Sequence, residues 1–159
     1  MPVRTIVSLW PLFFGLSLVG MAIGVQGSLL GFRAEMEGFR SSLIGLIMSA
    51  YYAGFLVGAV IAPSLIISVG HIRTFGAVTA LASITILVHA SFVEPWTWVA
   101  LRFLTGFAFS SIFVVSESWL NQAANNQNRG QILSYYMIIQ LAGTTVGQFM
   151  LSLADPGGF

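Results

Sequence analysis

The sequence predicts an all-α fold, a polytopic bundle of helices that cross a membrane. Six basic and five acidic side chains are placed among 159 residues so that long uncharged stretches lie between them. Twenty-eight uncharged residues separate Arg4 from Arg33, and thirty separate Arg40 from His71. Because a helix rises about 1.5 Å per residue, roughly 20 apolar residues cross a hydrocarbon core of about 30 Å. The composition is 57% hydrophobic and 7% charged, against a charged share of about 25% in soluble domains.

The charge spacing predicts five spans within a single transmembrane domain that covers residues 1–159. We expect the spans at about 6–30, 43–67, 74–92, 97–120 and 131–153. The span at 97–120 differs from the others because it carries Arg102 in its interior and Glu117 near its end. A polar loop over residues 31–40 separates the first two spans, and Pro95 suits the first turn of the fourth helix.

Loop arginines orient the bundle, because cytoplasmic loops of membrane proteins carry an excess of basic residues. With the amino terminus in the cytoplasm, three arginines lie inside and two lie outside. The inner ones are Arg4, Arg73 and Arg129, and the outer ones are Arg33 and Arg40. An odd number of spans then places the carboxyl terminus of this chain in the periplasm. Trp96 and Trp98 are expected at the outer interface, in an aromatic belt.

Several function classes are excluded by composition. A net charge of +1, with no lysine and no basic cluster, argues against a nucleic-acid partner. The absence of cysteine removes disulfides, thiol catalysis and cysteine metal sites. There is no paired carboxylate in one leaflet, no nucleophile elbow and no glycine-rich phosphate loop. His89 has no partner at metal-ligand spacing and is expected near the outer interface. We therefore expect no enzyme activity, no catalytic residue, no cofactor and no metal site.

Small residues form seams along the first and second predicted helices, and the fourth and fifth contain further glycines assigned to packing. Such seams let helix backbones approach closely, which is how membrane helices associate without a hydrophobic driving force. The seams either serve only to pack the helices together or form surfaces on which helices rock during transport. The glycines assigned to helix packing are Gly20, Gly24, Gly27, Gly54, Gly58, Gly106, Gly143 and Gly147.

Polar residues on the fourth helix share one face. Arg102, Ser110 and Glu117 fall within about 80° of arc. Arg102 lies about 12 Å into the helix, where an arginine costs about 2.5–3.5 kcal/mol on insertion scales. We expect it to face a polar cavity or a partner, the alternative being that its long stem reaches the outer interface. Further polar groups inside spans are Gln26, Tyr51, Tyr136 and Gln140. Each either contacts a solute or makes an interhelical hydrogen bond worth about 0.6 kcal/mol.

Five segments in order carry a resemblance to a known family. They are GHIRTF at 70–75, RFLTG at 102–106, ESWL at 117–120, NRGQIL at 128–133 and GTTVGQ at 143–148. The first matches the family's glycine- and arginine-containing turn between its second and third helices. Together they resemble the amino-terminal part of a major facilitator superfamily transporter, and within it the YcaD-like bacterial branch. The likeness covers essentially the whole chain.

The resemblance implies a secondary transporter that carries a small solute by alternating access, with protons as a candidate coupling ion. In such proteins two six-helix halves, built of inverted three-helix repeats, rock around a central site. Helices one and four line that site in this family. The resemblance thereby implies a solute and coupling-ion pathway whose candidates are Arg102, Gln26, Tyr51, Ser110, Tyr136 and Gln140.

The same resemblance implies a gate at the cytoplasmic face, in which Glu117 pairs with Arg129 or Arg73. The alternative is a solvated pair at the rim, worth under about 1 kcal/mol. The candidate gate residues are Gly70, His71, Arg73, Glu117 and Arg129. The acidic residue usual in the family's second-to-third-helix motif is missing here, so the gate would depend on Glu117.

Length is the largest departure, because the family has about twelve spans and five are predicted here. We expect a truncated amino-terminal portion of a transporter in a bacterial inner (plasma) membrane, with the lipid bilayer and a small solute as partners. The alternative is a non-transporting membrane subunit or scaffold, which would bind other membrane protein subunits of a larger complex.

Overall fold

The computed structural model of the chain describes residues 9–153, apart from the side chain of Ser152. Five helices follow one another in this range, and no strand occurs within it: α1 (Trp10–Met36), α2 (Ser41–Val69), α3 (His71–Ser91), α4 (Pro95–Ala123) and α5 (Arg129–Leu153). The predicted all-α fold is therefore confirmed. Arg4 and the first residues of the predicted first span lie outside the described residues.

Four of these helices, α1 to α4, are long and apolar enough to cross a membrane. α5 has 25 residues, which is sufficient length, but it is not among the four. Its composition gives the reason, since it begins at Arg129 and carries Gln131, Gln140 and Gln148 among its apolar residues. That residues 131–153 cross the membrane stays a prediction.

α1 extends further than its apolar run suggests. Residues 31–36, which we expected in a polar loop, continue the helix to Met36. Leu30 and Ala34, one turn apart, are both buried, so the contact face of the helix continues past residue 30. Gly38 then ends the helix at φ 72°, where its amide and that of the next residue bond back to the last turn. Glycine adopts this positive φ without the steric strain that a Cβ atom would cause.

Gly70 forms the turn between α2 and α3. Its φ is 86°, and its amide donates a hydrogen bond of 2.9 Å to the carbonyl of Ile66. The Thr74 hydroxyl donates a hydrogen bond of 2.8 Å to the Gly70 carbonyl. A single residue therefore separates the two helices, and a side chain at this φ would be strained.

The start of α4 is capped by Glu94. Its carboxylate accepts hydrogen bonds from the amides of Thr97, at 2.6 Å, and Trp96, at 3.1 Å. Bonds from the Thr97 amide and hydroxyl and from the Trp96 amide hold the pKa of Glu94 below its usual value. Pro95 is the first residue of the helix, where its missing N–H costs nothing.

The chain divides into two compact units. Residues up to Arg33 and from Leu120 onward form the first, which we call the α1–α5 unit. Residues Ala34–Trp119 form the second, the α2–α4 unit, which contains α2, α3 and most of α4.

Within the α1–α5 unit, two glycines of α1 lie directly against the backbone of α5. A Cβ atom on Gly20 would lie 2.9 Å from the Gln140 carbonyl oxygen, and one on Gly24 would overlap the carbonyl oxygen of Thr144. The helix-packing role that we expected for Gly27 is wrong. No atom of the described residues lies within 4 Å of a Cβ built there, and Gly27 is exposed because it points away from the contact.

The contact is reciprocal, because α5 supplies two glycines of its own. A Cβ on Gly143 would lie 2.6 Å from the Ser17 carbonyl oxygen, and one on Gly147 would overlap that of Met21. Glycines on both helices thus allow a backbone-to-backbone approach.

Within the α2–α4 unit, α2 and α4 meet in the same way. A Cβ on Gly54 would overlap the Phe103 carbonyl oxygen, and one on Gly106 would overlap that of Tyr51. Gly58 lies at the same contact one turn after Gly54. This close approach sets the position of the side chains that surround Arg102.

Candidate functional site

Arg102 is a buried cation on α4. It is 5% exposed, and its guanidinium carbon lies 4.5 Å from the centroid of the Tyr51 ring on α2. Its Nη2 donates to the sulfur of Met48 over 3.8 Å. Its Nε is buried and has no hydrogen-bond partner among the described residues. The structure therefore brings together two predicted pathway residues, Arg102 and Tyr51.

The glycine contact explains this placement. Gly106 lies one turn beyond Arg102 on α4 and touches the Tyr51 backbone. Because no side chain separates the helices there, the long stem of Arg102 folds onto the aromatic ring beside it. Phe55, one turn further along α2, packs beside Tyr51 with ring centroids 6.1 Å apart and ring planes tilted by 42°. The guanidinium thus has an aromatic face on one side.

No carboxylate bonds to Arg102 among the described residues, although the α2–α4 unit contains Glu35, Glu37, Glu94 and Glu117. α2 and α3 contain no acidic residue, and Glu117, the one acidic residue of α4, is exposed and lies fifteen positions further on. An arginine at mid-membrane costs about 2.5–3.5 kcal/mol on insertion scales, and a cation over an aromatic ring recovers about 0.5–2 kcal/mol. The Tyr51 ring therefore offsets only part of the cost of burying Arg102.

Ser110 lies two turns beyond Arg102 on the same helix. It is 1% exposed, and its Cβ lies 3.1 Å from where a Cβ on Gly58 would be. Its hydroxyl, like that of Ser111, is buried without a partner among the described residues. Ser110 therefore offers an unused polar group at the α2–α4 contact.

A polar cluster between α3 and α4 was not predicted from the sequence. Thr105 donates to Thr85 over 3.0 Å, and both hydroxyls are buried. His89 is 5% exposed, bonds through Nδ1 to the Thr85 carbonyl at 2.8 Å, and leaves Nε2 buried without a partner. The signal in the sequence was the spacing of Thr85 and His89, which puts two polar residues one turn apart on one face. No group of three metal-ligating side chains occurs in the described part of the chain.

The two tryptophans at the start of α4 have different environments. Trp96 is 66% exposed, as a residue of an aromatic belt would be, but Trp98 is completely buried. The expectation that Trp98 lies in the belt is therefore wrong. Its indole N–H donates to the Phe92 carbonyl at 2.6 Å, and its ring packs against Phe39 and His89.

At the predicted cytoplasmic end of the α2–α4 unit, the structure joins His71 to Ser118. His71 Nε2 lies 2.9 Å from the Ser118 hydroxyl, and its ring centroid lies 6.3 Å from that of Trp119. Arg73 and Glu117 are both exposed, and no ion pair joins them within the described range. Gly70 contributes the turn that begins α3. Arg129 is an exposed residue that begins α5 and belongs to the other unit.

The remaining pathway candidates lie in the α1–α5 unit. Gln26 on α1 is 8% exposed, and its amide nitrogen has no partner among the described residues. Tyr136 on α5 is 5% exposed. Gln140, one turn further, is half-buried, and its side-chain oxygen is buried without a partner. Buried amides with unused groups suit either a solute or water.

Comparison with known proteins decides the family. Residues 12–154 match the model of the Major Facilitator Superfamily. The chain belongs to this superfamily. No solved structure matches it.

The superfamily relatives it resembles are bacterial. An uncharacterized MFS-type transporter of Yersinia pestis (strain Pestoides F) is 32% identical over 144 residues, which are 91% of this chain and 38% of the relative. The uncharacterized MFS-type transporter YcaD of Escherichia fergusonii is 32% identical over 89% of this chain and 37% of its own length. An Enterobacter sp. (strain 638) relative is 30% identical over the same shares.

This superfamily chain therefore spans 38% of the length of the first relatives it matches. Four apolar helices and membership of a transporter family make it a membrane protein that lies in a lipid bilayer. These relatives are named as transporters, a class of proteins that are generally not enzymes.

Proposed function

We propose that this chain takes part in the transport of a small solute across a bacterial inner membrane by alternating access. The observation that carries the proposal is the buried Arg102, which stands in an apolar helix with its Nε unused and no carboxylate beside it. A buried charge without a partner in a membrane helix usually marks a substrate or ion pathway. The relatives' names support transport over the scaffold alternative.

The proposed pathway in the α2–α4 unit is formed by Arg102, Tyr51 and Ser110. The α1–α5 unit contributes Gln26, Tyr136 and Gln140. Support comes from the unused polar atoms, because Arg102, Ser110, Gln26 and Gln140 each retain one in a buried position. Buried polar groups without partners cost stability, so a chain that retains them gains something other than stability.

The proposed gate is centred on the His71–Ser118 hydrogen bond, with Arg73, Glu117 and Arg129 as charged groups at the rim. This bond joins the α2–α3 turn to the end of α4. A transporter that opens toward the cytoplasm would break it. Protons stay a candidate coupling ion in this proposal.

Single-cysteine labelling tests alternating access directly, because the natural chain contains no cysteine. In Ser110→Cys, a membrane-impermeant maleimide should label the thiol when added to either face of sealed native vesicles. Val60→Cys is the matched control on α2, since Val60 is 79% exposed in an apolar helix and should face lipid, where thiolate does not form.

Labelling of Ser110→Cys from both faces, with Val60→Cys unlabelled, would support a site that opens alternately. Labelling of Ser110→Cys from one face only, or from neither, would contradict alternating access.

A further inference from the structure

The guanidinium of Arg102 has one edge that carries an unpaired hydrogen-bond donor. Its carbon lies over the Tyr51 ring, and Nη2 contacts only the Met48 sulfur, which is a weak acceptor. Nε is buried with its hydrogen unused among the described residues. The edge that carries Nε is one of the two-donor edges by which arginine binds planar anions.

No acidic side chain bonds to Arg102 among the described residues. α2 and α3 contain no acidic residue. Along α4, Glu117 lies about 22 Å beyond Arg102, and Glu94, which caps the helix, lies about 12 Å before it. A cationic solute would be repelled here, and a neutral one would leave the charge uncompensated.

We infer that Arg102 binds an oxyanion group of the solute, a carboxylate or a phosphate, through its Nε edge while its face stays on the Tyr51 ring. This inference rests on the proposed transport function and names the class of its substrate. A carboxylate offers two coplanar oxygens and a phosphate offers a similar pair, so both match the arginine edge. The oxyanion places a negative charge beside a guanidinium that no carboxylate of the described residues contacts.

The geometry also assigns a role to Tyr51. By holding the guanidinium plane from one side, the ring fixes the direction in which the Nε edge points. Tyr51 is thus a positioning residue for Arg102.

Nitrogen-15 NMR of the arginine side chains tests the inference at the atom concerned. The chain has six basic side chains, all arginine, so the Nε–Hε region is simple. The full chain, labelled with ¹⁵N-arginine in maltoside micelles that contain neither carboxylate nor phosphate, is titrated with acetate, benzoate and inorganic phosphate at constant ionic strength. The missing signal in Arg102→Gln assigns Arg102.

A carboxylate or inorganic phosphate should move the Arg102 Hε signal downfield in a saturable way. Signals from the exposed Arg40 should drift only slightly and without saturation. In Tyr51→Leu the apparent affinity should fall at least tenfold while the Arg102 signal persists, and Arg40→Gln should match the wild-type chain.

No saturable shift with any of the three anions would overturn the inference. A shift produced by added phosphatidylglycerol, and by none of the three, would assign the group to a lipid and would overturn it too. This test is independent of transport. Saturable binding without two-sided labelling of Ser110→Cys would support the oxyanion site and contradict alternating access. Two-sided labelling without saturable binding would support alternating access and contradict the oxyanion site.

Discussion

At the scale of single residues, Trp98 illustrates how a side chain with an apolar ring and one polar group is buried inside the α2–α4 unit. Its ring fills a fully buried position, and its one polar group reaches the Phe92 carbonyl just before α4. A buried indole usually needs such a partner, because its N–H would otherwise lose a hydrogen bond with water. The side chain therefore ties the end of α3 to the start of α4.

Replacing Trp98 with phenylalanine should lower the free energy of unfolding by about 1–3 kcal/mol, since the hydrogen bond is lost and a small cavity remains. Trp96→Phe is the matched control, because Trp96 is exposed two residues away on the same helix. Unfolding in micelles with increasing denaturant, followed by circular dichroism, measures both. Equal losses in the two variants would mean that the burial and hydrogen bond of Trp98 add no stability beyond that of an exposed tryptophan.

At the scale of helices, glycine seams determine which helices pair closely. α1 pairs with α5, and α2 pairs with α4, in each case through glycines that touch the backbone opposite. Contacts of this kind depend on distance, because dispersion weakens steeply once atoms separate by a fraction of an ångström. An added methyl group at the contact pushes two backbones apart, whereas the same group elsewhere meets no atom.

Gly24→Ala should destabilise the α1–α5 pair strongly, by about 2 kcal/mol or more, because its Cβ overlaps the Thr144 carbonyl. Gly27→Ala, three residues along the same helix, should be neutral or stabilising by up to about 1 kcal/mol, since alanine is the better helix former. Thermal unfolding in micelles compares the two.

In the α2–α4 unit, Gly54→Ala and Gly45→Ala form an equivalent pair. A Cβ overlaps the Phe103 carbonyl at Gly54 and meets nothing within 4 Å at Gly45 among the described residues. If the two glycines of a pair tolerated alanine equally, close backbone contact would not be what stabilises these helix pairs.

At the scale of the whole molecule, the number of membrane crossings sets the side on which each loop lies. Four helices are long enough and apolar enough to cross a membrane. α5 is long enough to cross, but it is not among those four. α5 places apolar residues such as Ile138, Leu141 and Phe149 on exposed positions. This exposed apolar face supports a fifth crossing.

Cysteines introduced at Asn126 and Leu153 should lie on opposite faces of the membrane if α5 crosses it. Both positions are exposed, one before α5 and one at its last residue. In sealed vesicles of known orientation, an impermeant maleimide should label Asn126→Cys from the cytoplasmic face and Leu153→Cys from the periplasmic face. Labelling of both from one face would place α5 along the membrane surface.

Much of the fold was predictable because its signal is local. α2 and α3 follow from uncharged runs, and α4 from an apolar run that contains Arg102; Gly70 and Pro95 mark turns between these helices. The end of α1 was not predicted in this way, since residues 31–36 include charged side chains and are nevertheless helical, with Ala34 among them buried. The burial of Trp98 likewise depends on Phe39, which is remote in sequence.

For the candidate site, the sequence indicated Arg102 because a charge inside an apolar run is visible without a structure. By itself the sequence determined a helical membrane protein, since each helix satisfies its own backbone hydrogen bonds and needs only length and apolarity to enter a bilayer. Only the tertiary structure decided which glycine seams meet, that Tyr51 rather than a carboxylate lies beside Arg102, and that its Nε has no partner among the described residues. These features depend on pairwise distances between helices, which a spacing pattern along one helix does not contain.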